Sequence, residues 1–321
     1  MIFDPLILWC TPYTTGGVTT FSASLQRITG WSMVRLAARS STPAKHLPGW
    51  SVPYHMRTLE ELLLDPRPAI LAGGSWKWDA PVWQQLAKRR GGLWWVFHDP
   101  TEFKSMPHVA AVDPRLCIVL RKSNLVHQPQ AQLLPQPYVL RYTNSEATRT
   151  VHAVCTARVD SIKQSHLIVE ANRMLPQDRK VQMSGTPNRM YVYGKKAKYP
   201  ELADIKPRPA GAHSGAELCR TAYYSVDMSR ITGDGGGLQY TTLEAIDAGA
   251  VPVVDQGWMA EPGPMHALRV FTVAGSAGLA ALLRAPIDHK LLAVMRAHNR
   301  SYLLRHHAAR ILSKAYSNAI I

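Results

Sequence analysis

The chain has 321 residues, of which 46% are hydrophobic and 18% are charged. This composition is typical of a folded protein with about two domains and excludes a disordered chain. Its 37 Lys and Arg residues against 22 Asp and Glu residues give a formal net charge of +15, with the excess spread over both halves. Such a charge is typical of a protein that binds a polyanion, although it also promotes solubility.

The chain shows no pattern of export or membrane insertion. The first residues, MIFDPLILWC, lack the basic start of a secretory signal, and the longest apolar run, 271–283, is too short to cross a bilayer. Four widely spaced cysteines indicate neither a zinc cluster nor a disulfide framework: Cys10, Cys117, Cys155 and Cys219. We therefore expect a cytoplasmic protein with reduced thiols and no stable membrane insertion.

Short apolar runs alternate with helical patterns in the first half of the chain. Strands are predicted at Leu6–Cys10, Ala69–Ala72, Gly92–Phe97 and Leu116–Leu120. Helices are predicted at Thr20–Ile28, Thr58–Leu64 and Pro81–Arg90. Uniformly apolar strands separated by helices indicate a doubly wound α/β domain with a buried parallel sheet.

A second α/β set follows a proline-containing polar stretch, which places a linker at 140–150 and domains at 1–145 and 146–321. Strands are predicted at His152–Thr156, Arg189–Tyr193, Ala222–Val226 and Val251–Val254. Helices are predicted at Gln164–Leu175, Thr241–Ala248 and Lys290–Ala319, the last with His306 and His307 on its surface and able to return to the first domain. Two Rossmann-like domains should then face a central cleft, with ligands at the carboxyl ends of the strands.

Two glycine-rich turns precede predicted helices. Gly16 and Gly17 follow the first strand, where backbone N–H groups can approach an oxyanion, although an ordinary strand–helix turn explains them equally well. The run Gly233–Gly237 leads into the helix that starts near Tyr240 and ends at Gly249. The first N–H groups of this helix suit a phosphate.

Charged side chains follow two of the predicted strands. Arg158 and Lys163 come after His152–Thr156, and two cations at the carboxyl end of a strand suit a diphosphate or form a solvated basic turn. His98 and Asp99 end another strand. A carboxylate there can act as a base, stabilise positive charge on a sugar, or cap the next helix.

These motifs together resemble the retaining GT-B glycosyltransferases, whose LEAxxxGxPVV signature matches the segment from Leu243 to Val254. Within this group the chain is similar to the bacteriophage DNA α-glucosyltransferases, which decorate hydroxymethylated pyrimidines in duplex DNA. The similar stretches occur in the same order along most of the chain: Gly17–Ser22, His98-Asp99, Arg158 to Lys163, Tyr193-Gly194 and Leu238–Glu244.

The resemblance implies a UDP-glucose donor held mainly by the second domain. On that basis the donor-binding residues are Gly16, Gly17, Arg158, Lys163, Tyr193, Gly194, Gly237, Leu238, Tyr240, Thr241, Thr242 and Glu244. Glu244 would take the ribose, the Tyr193-Gly194 loop would lie near the base, and Asp99, with His98 beside it, is the candidate catalytic group. The wider family often carries an acidic residue eight positions before its helix glutamate. In this chain that position is Gly236, and Asp234 lies two residues earlier.

The absence of an Asp-x-Asp pair implies no metal site and no required cofactor, with a divalent metal possible but not implied. The expected acceptor is a 5-hydroxymethylcytosine or 5-hydroxymethyluracil in double-stranded DNA, flipped out of the helix. Candidate phosphate contacts are Lys104, Arg121, Lys122, Lys195 and Lys196. Two alternatives remain open: a cytoplasmic transferase that acts on a lipid-linked or small acceptor, and a DNA-binding protein on a degenerate transferase fold.

Overall fold

The computed structural model describes residues 4–9, 17–36, 53–72, 80–98, 113–142, 147–207, 214–230, 237–260 and 262–320. The chain divides into two compact units. The N-terminal unit consists of Met1–Val139 and His306–Ile321, and the C-terminal unit consists of Leu140–Arg305.

The N-terminal unit contains a parallel sheet. Its strands within the described ranges are β1 (Leu6–Leu8), β2 (Ser32–Leu36), β3 (Tyr54–Arg57), β4 (Ala69–Ala72), β5 (Leu93–Phe97), β6 (Cys117–Val119) and β7 (Gln132–Leu133). They pair in the order β3-β2-β1-β4-β5-β6-β7, always in parallel. The helices are α1 (Gly17–Thr29), α2 (Leu59–Leu64), α3 (Ala80–Ala87) and, from the end of the chain, α10 (Ala309–Ile320).

The C-terminal unit contains the second parallel sheet. Its strands are β8 (Val151–Cys155), β9 (Val181–Met183), β10 (Ala222–Asp227), β11 (Val251–Asp255) and β12 (Phe271–Val273), in the order β12-β11-β10-β8-β9. The helices are α4 (Ser165–Arg173), α5 (Arg189–Lys195), α6 (Ser214–Arg220), α7 (Tyr240–Asp247), α8 (Gly275–Arg284) and α9 (His289–His306). Two parallel sheets with alternating helices confirm the predicted pair of Rossmann-like domains.

The sequence predicted the strands whose residues are buried on both faces of the sheet, because such strands are continuously apolar. Every residue of β1 and β4 is at most 1% exposed, which requires the continuous apolar runs LIL and AILA. The sequence missed β2, β3, β7, β9 and β12. Polar residues such as Arg35, His55 and Gln182 interrupt their apolar runs.

The predicted strand at Arg189–Tyr193 is wrong, because these residues form helix α5. The Asn188 side chain caps this helix by accepting the Tyr191 N–H at 3.2 Å. No residue of α5 is buried, and β9 instead fills the place beside β8.

The single helix predicted at Lys290–Ala319 is also wrong. Helix α9 ends at His306 and α10 begins at Ala309. His307 lies between them and is 1% exposed, contrary to the surface position predicted for it, with Nδ1 3.0 Å from the Gln136 carbonyl oxygen. The break lets α10 pack on α1, and the Tyr316 hydroxyl in α10 donates to the Pro135 carbonyl at 3.0 Å.

Burial of His307 should make stability depend on pH. Desolvation lowers the pKa of His307 to about 4, against 6.5 for an exposed histidine. Between these values only the unfolded chain is protonated at this position, so the stability is complete above pH 6.5 and is lost as the pH falls toward 4, by about 3 kcal/mol. Urea unfolding of His307→Asn should show a correspondingly weaker loss, whereas His306→Asn, at an exposed position, should retain it. Equal losses in both variants would contradict the assignment.

No helix within the described ranges combines the length and apolar character that crossing a bilayer requires.

Candidate functional site

A hydrogen-bonded network lies beyond the carboxyl ends of β8 and β10 in the C-terminal unit. Lys163 Nζ lies 3.5 Å from Asp227 Oδ2 and donates to Gln239 Oε1. The Thr241 hydroxyl donates to the same carboxylate oxygen at 3.0 Å, and the Ser229 N–H donates to the other at 3.0 Å. The network therefore joins the turn after β8, the end of β10 and the start of α7.

Asp227 is the carboxylate at the centre of this network, and its surroundings favour its charged form. Burial alone would raise the pKa of Asp227, but the Lys163 ammonium and the hydrogen bonds from Ser229 and Thr241 outweigh that effect, so its pKa lies below the usual range. The Lys163 and Asp227 side chains are each 12% exposed. The lysine is therefore fixed in place before any ligand arrives.

Sequence reasoning missed Asp227, because the predicted strand ended one residue earlier, at Val226. The available signal was a carboxylate at the carboxyl end of a parallel strand, the edge at which ligands of such sheets bind. Its partner Lys163 is 64 residues away in sequence.

Asp160 fixes Arg158 to the same turn. The buried Asp160 carboxylate bonds Arg158 Nε and accepts the Lys163 N–H at 2.8 Å. The Arg158 side chain remains 58% exposed. Since the ion pair to Asp160 uses Nε, the rest of the guanidinium is available to an anion.

Helix α7 starts beside this network. Gln239 is its N-cap residue, and the Gln239 carbonyl accepts the N–H groups of Thr242 and Leu243 at 3.1 and 3.0 Å. The Thr242 amide, a predicted phosphate donor, is therefore already engaged. Glu244 is 6% exposed in the second turn, and Gly249 ends the segment with a φ of +78°, as predicted.

Gly237 and Leu238, the two residues before the N-cap Gln239, are both buried, and Leu238 is 7% exposed. They position the start of the helix, and their predicted donor contacts stay predictions.

Tyr193 and Gly194 lie in helix α5, not in a loop as predicted. Tyr193 is 72% exposed, and Lys196 Nζ lies 4.3 Å from the centre of its ring. Lys195 and Lys196 are exposed beside it. Helix α5 thus presents an aromatic ring and adjacent cations to solvent, a surface that suits a nucleobase or a phosphate chain.

Helix α5 is joined to the start of α4. The Tyr191 hydroxyl accepts the His166 N–H at 3.2 Å and lies 3.0 Å from His166 Nδ1. Since α4 follows the Lys163 turn directly, this contact holds the α5 surface next to the Lys163–Asp227 network.

In the N-terminal unit, predicted site residues meet at the carboxyl ends of β5 and β6. Arg121 Nε donates to the His98 carbonyl at 2.8 Å, and the His98 ring packs edge-on against Phe21 of α1 with centroids 5.1 Å apart. Lys122 is exposed. Arg121 is therefore tied to the end of β5, while Lys122 is open to solvent.

Gly17 is the first residue of α1, and a Cβ built there meets no heavy atom within 4 Å. The other predicted site residues lie outside the described ranges: Gly16, Asp99 and Lys104, together with Asp234 and Gly236. Within those ranges no group of three or more His, Cys, Asp or Glu side chains is placed to hold a metal ion.

Gly185 packs closely against the backbone of Ala157 and Arg158. A Cβ at Gly185 would lie 2.0 Å from the Ala157 carbonyl oxygen. We expect Gly185→Ala to lower the unfolding free energy by about 1–3 kcal/mol, because the backbone next to Arg158 must shift. Urea unfolding measures this change. Gly278→Ala, whose Cβ would make only ordinary contacts at 3.6 Å or more inside α8, is the matched control. Equal stability of the two variants would contradict the prediction.

Neither a protein-family model nor a curated protein matches the chain in sequence. Solved structures do match it. HepE of Anabaena in complex with UDP-glucose aligns over 98% of both chains with a TM-score of 0.72 and 12% identity. An alpha-glucosyltransferase in complex with UDP and a 13-mer DNA aligns over 98% of both chains with a TM-score of 0.70 and 12% identity. AviGT4, a glycosyltransferase involved in avilamycin A biosynthesis, covers 99% of this chain and 97% of its own, with a TM-score of 0.62 and 15% identity.

These neighbours are GT-B glycosyltransferases. The chain therefore has the GT-B fold, as its sequence motifs predicted.

Proposed function

We propose that the protein is a glycosyltransferase that transfers glucose from UDP-glucose to the hydroxymethyl group of a 5-hydroxymethylpyrimidine in duplex DNA. The observation that carries this proposal is the carboxyl edge of the C-terminal sheet, where Arg158, held by Asp160, lies with the Lys163–Asp227 network and the start of α7. This edge belongs to a fold shared with a UDP-glucose complex and a UDP–DNA complex.

The donor half of the reaction follows from the charges at this edge. Transfer breaks the bond between the glucose anomeric carbon and the β-phosphate oxygen, so negative charge builds up on the departing UDP. Arg158 and Lys163 supply two cations, and the amino end of α7 adds a partial positive charge. Each charge-assisted hydrogen bond contributes about 1.5–3 kcal/mol. The buried Glu244 accepts hydrogen bonds from the ribose in this proposal, and Tyr193 contacts the base.

The acceptor half depends on charge and on base flipping. The net charge of +15 favours a phosphate-rich acceptor, and Lys122, Lys195 and Lys196 are exposed cations that suit its backbone. The new bond joins the hydroxymethyl oxygen to the anomeric carbon, and the hydroxyl proton leaves toward the departing phosphate. Asp99 stabilises the positive charge that develops on the sugar, with retention of the anomeric configuration.

The direct test is a transfer assay. The protein is incubated with UDP-glucose and a duplex that carries 5-hydroxymethylcytosine or 5-hydroxymethyluracil, the duplex is digested, and the nucleosides are weighed. We expect a mass gain of one hexose on the modified nucleoside, and none on a matched duplex with cytosine or thymine. Unchanged nucleosides from both modified duplexes, with UDP-glucose bound, would exclude the DNA acceptor.

Asp99→Asn should lower the turnover number while UDP-glucose affinity stays near the wild-type value. The physical reason is that the carboxylate acts on charge that appears only in the transition state. We expect a loss of about 100-fold, typical of the removal of one electrostatic stabiliser. Single-turnover kinetics and calorimetry separate the two effects, and wild-type rates in the variant would remove Asp99 from the chemistry.

A second candidate is transfer to a small-molecule acceptor, which the similarity to AviGT4 favours. In that case hexose transfer would proceed without DNA, and the rate would not fall steeply with added salt.

A further inference from the structure

An aromatic and cationic cluster lies in the N-terminal unit, outside the site described above. Arg35 is in the carboxyl half of β2, and its guanidinium lies 5.1 Å from the centre of the Trp9 ring. Trp9 directly follows β1 and packs edge-on against Tyr54 of β3, with centroids 5.4 Å apart. We call Trp9, Arg35 and Tyr54 the Arg35 cluster.

The charge of Arg35 is buried with no counter-ion among the described residues. Arg35 is 7% exposed, and its Nη1 atom is buried with no hydrogen-bond partner, as is the indole Nε1 of Trp9. No carboxylate within the described ranges pairs with Arg35. The contact with the Trp9 ring recovers only part of the free energy lost when a guanidinium leaves water, since a buried cation normally requires a counter-ion.

Two other arginines of the chain donate hydrogen bonds to backbone carbonyl oxygens. Arg89, 4% exposed in the same unit, donates to the carbonyls of Leu62, Asp65, Arg67 and Gly92. Arg149 in the C-terminal unit likewise donates to several carbonyls. Arg35 differs from both because its buried Nη1 atom has no acceptor in the described part of the chain.

The Arg35 cluster lies on the ligand-binding side of the sheet. Leu8, Val34 and Leu36 point into the core cluster on one face, so the alternation of side chains places Trp9 and Arg35 on the opposite face. Helix α1, which starts at Gly17 after β1, packs against β1, β2 and β4. Trp9, Arg35 and the start of α1 therefore lie toward the carboxyl end of the sheet, whereas Tyr54 is the first residue of β3 and contacts Trp9 from the amino end of that strand.

The cluster is separate from the His98–Arg121 contact. In the strand order, β2 and β5 are three positions apart, or about 14 Å at the usual strand spacing. An anion held by Arg35 is thus too far away to be the group that reacts near His98, and belongs to another part of the ligand.

We propose that the Arg35 cluster is an acceptor-side phosphate subsite, in which Arg35 and the Trp9 indole N–H bind a DNA phosphodiester that flanks the reacting nucleotide. This proposal rests on the proposed DNA acceptor. A phosphodiester supplies the missing counter-ion, and the planar guanidinium donates to two phosphate oxygens at once. The position about 14 Å from His98 suits a flanking phosphate, not the one attached to the modified base.

The test compares Arg35→Met with Arg90→Met. Methionine retains a long apolar side chain on Trp9 and removes the charge, while exposed Arg90 precedes β5 in the same unit and controls for a change of one charge. Binding of a labelled hydroxymethylated duplex is followed by anisotropy, and UDP-glucose binding by calorimetry. Melting temperatures are recorded in chloride and in inorganic phosphate at equal ionic strength.

We expect Arg35→Met to bind the duplex about tenfold or more weakly, with UDP-glucose affinity unchanged, and Arg90→Met to change duplex affinity by no more than about twofold. Without ligand, Arg35→Met should melt at the wild-type temperature or about 2–4 °C higher, because an unpaired buried charge is removed. Inorganic phosphate should raise the melting temperature of the wild type and of Arg90→Met, but not of Arg35→Met.

Three results would overturn the proposal. A lower melting temperature or unfolding of Arg35→Met would show that the arginine is structural. Equal loss of duplex affinity in both variants would show that only overall charge matters, and loss of UDP-glucose affinity would place Arg35 with the donor. If the wild type fails to glucosylate DNA but phosphate stabilisation still depends on Arg35, the subsite is supported and the proposed acceptor is not.

Discussion

Lys163→Met should weaken UDP-glucose binding by about 10- to 100-fold, because one charge-assisted contact to the diphosphate is lost. It should also lower the unfolding free energy by about 3 kcal/mol, because Asp227 would remain as a largely buried carboxylate without its counter-ion. The value is at the low end for buried pairs, since each side chain retains 12% exposure. Calorimetric titration with UDP-glucose and urea unfolding measure the two effects.

A double variant separates the binding role of Lys163 from its structural role. Lys163→Met with Asp227→Asn removes both charges of the pair, so it should recover most of the lost stability without recovering donor affinity. Lys290→Met, at an exposed position in α9, controls for the loss of one positive charge in the same unit. If the folded Lys163→Met protein binds UDP-glucose as the wild type does, the lysine is not a phosphate ligand.

Asp247→Ala should be the most destabilising single substitution in helix α7. Asp247 is 0% exposed, accepts the Arg141 N–H at 2.9 Å and pairs with Arg300 Nη1. Arg300 also donates to the Tyr142 carbonyl, so the pair anchors α7 to both α9 and the segment that enters the C-terminal unit. Removal of the carboxylate leaves a guanidinium that is 15% exposed without its counter-ion, which should cost about 3–5 kcal/mol.

The melting temperature measures this effect and should fall by more than about 6 °C. Asp204→Asn, on an exposed surface of the same unit, should leave it unchanged. Combining Asp247→Ala with Arg300→Met should recover part of the stability, since no unpaired charge then remains. A melting temperature near the wild-type value for Asp247→Ala would show that the pair contributes little.

The predicted glycine-rich segment and helix of the C-terminal unit were the most informative part of the sequence. The run from Leu243 to Val254 has a regular pattern of a buried helix, a turn glycine and a buried strand, and the structure shows α7, Gly249 with positive φ, and β11 in that order. Such patterns can be predicted from sequence because the side chains of a helix or strand return to the buried face at a fixed spacing along the chain.

The errors occurred where tertiary context outweighed local preference. Residues 189–193 have an apolar, aromatic run typical of a strand, but the Asn188 cap starts a helix there, and β9 takes the place beside β8. The long C-terminal pattern was broken at His307 because its ring binds the Gln136 carbonyl, a contact 171 residues apart in sequence.

The sequence alone therefore determined the two parallel sheets, the GT-B motif order, the positions of Arg158 and Lys163 after a strand, and the position of Glu244 inside a helix. Only the tertiary structure decided which charges are compensated: Lys163 by Asp227, Asp247 by Arg300, and Arg35 by no residue in the described part of the chain. The physical reason is that periodicity encodes how each element buries its own face, whereas pairing of charges depends on which distant strands and helices become neighbours.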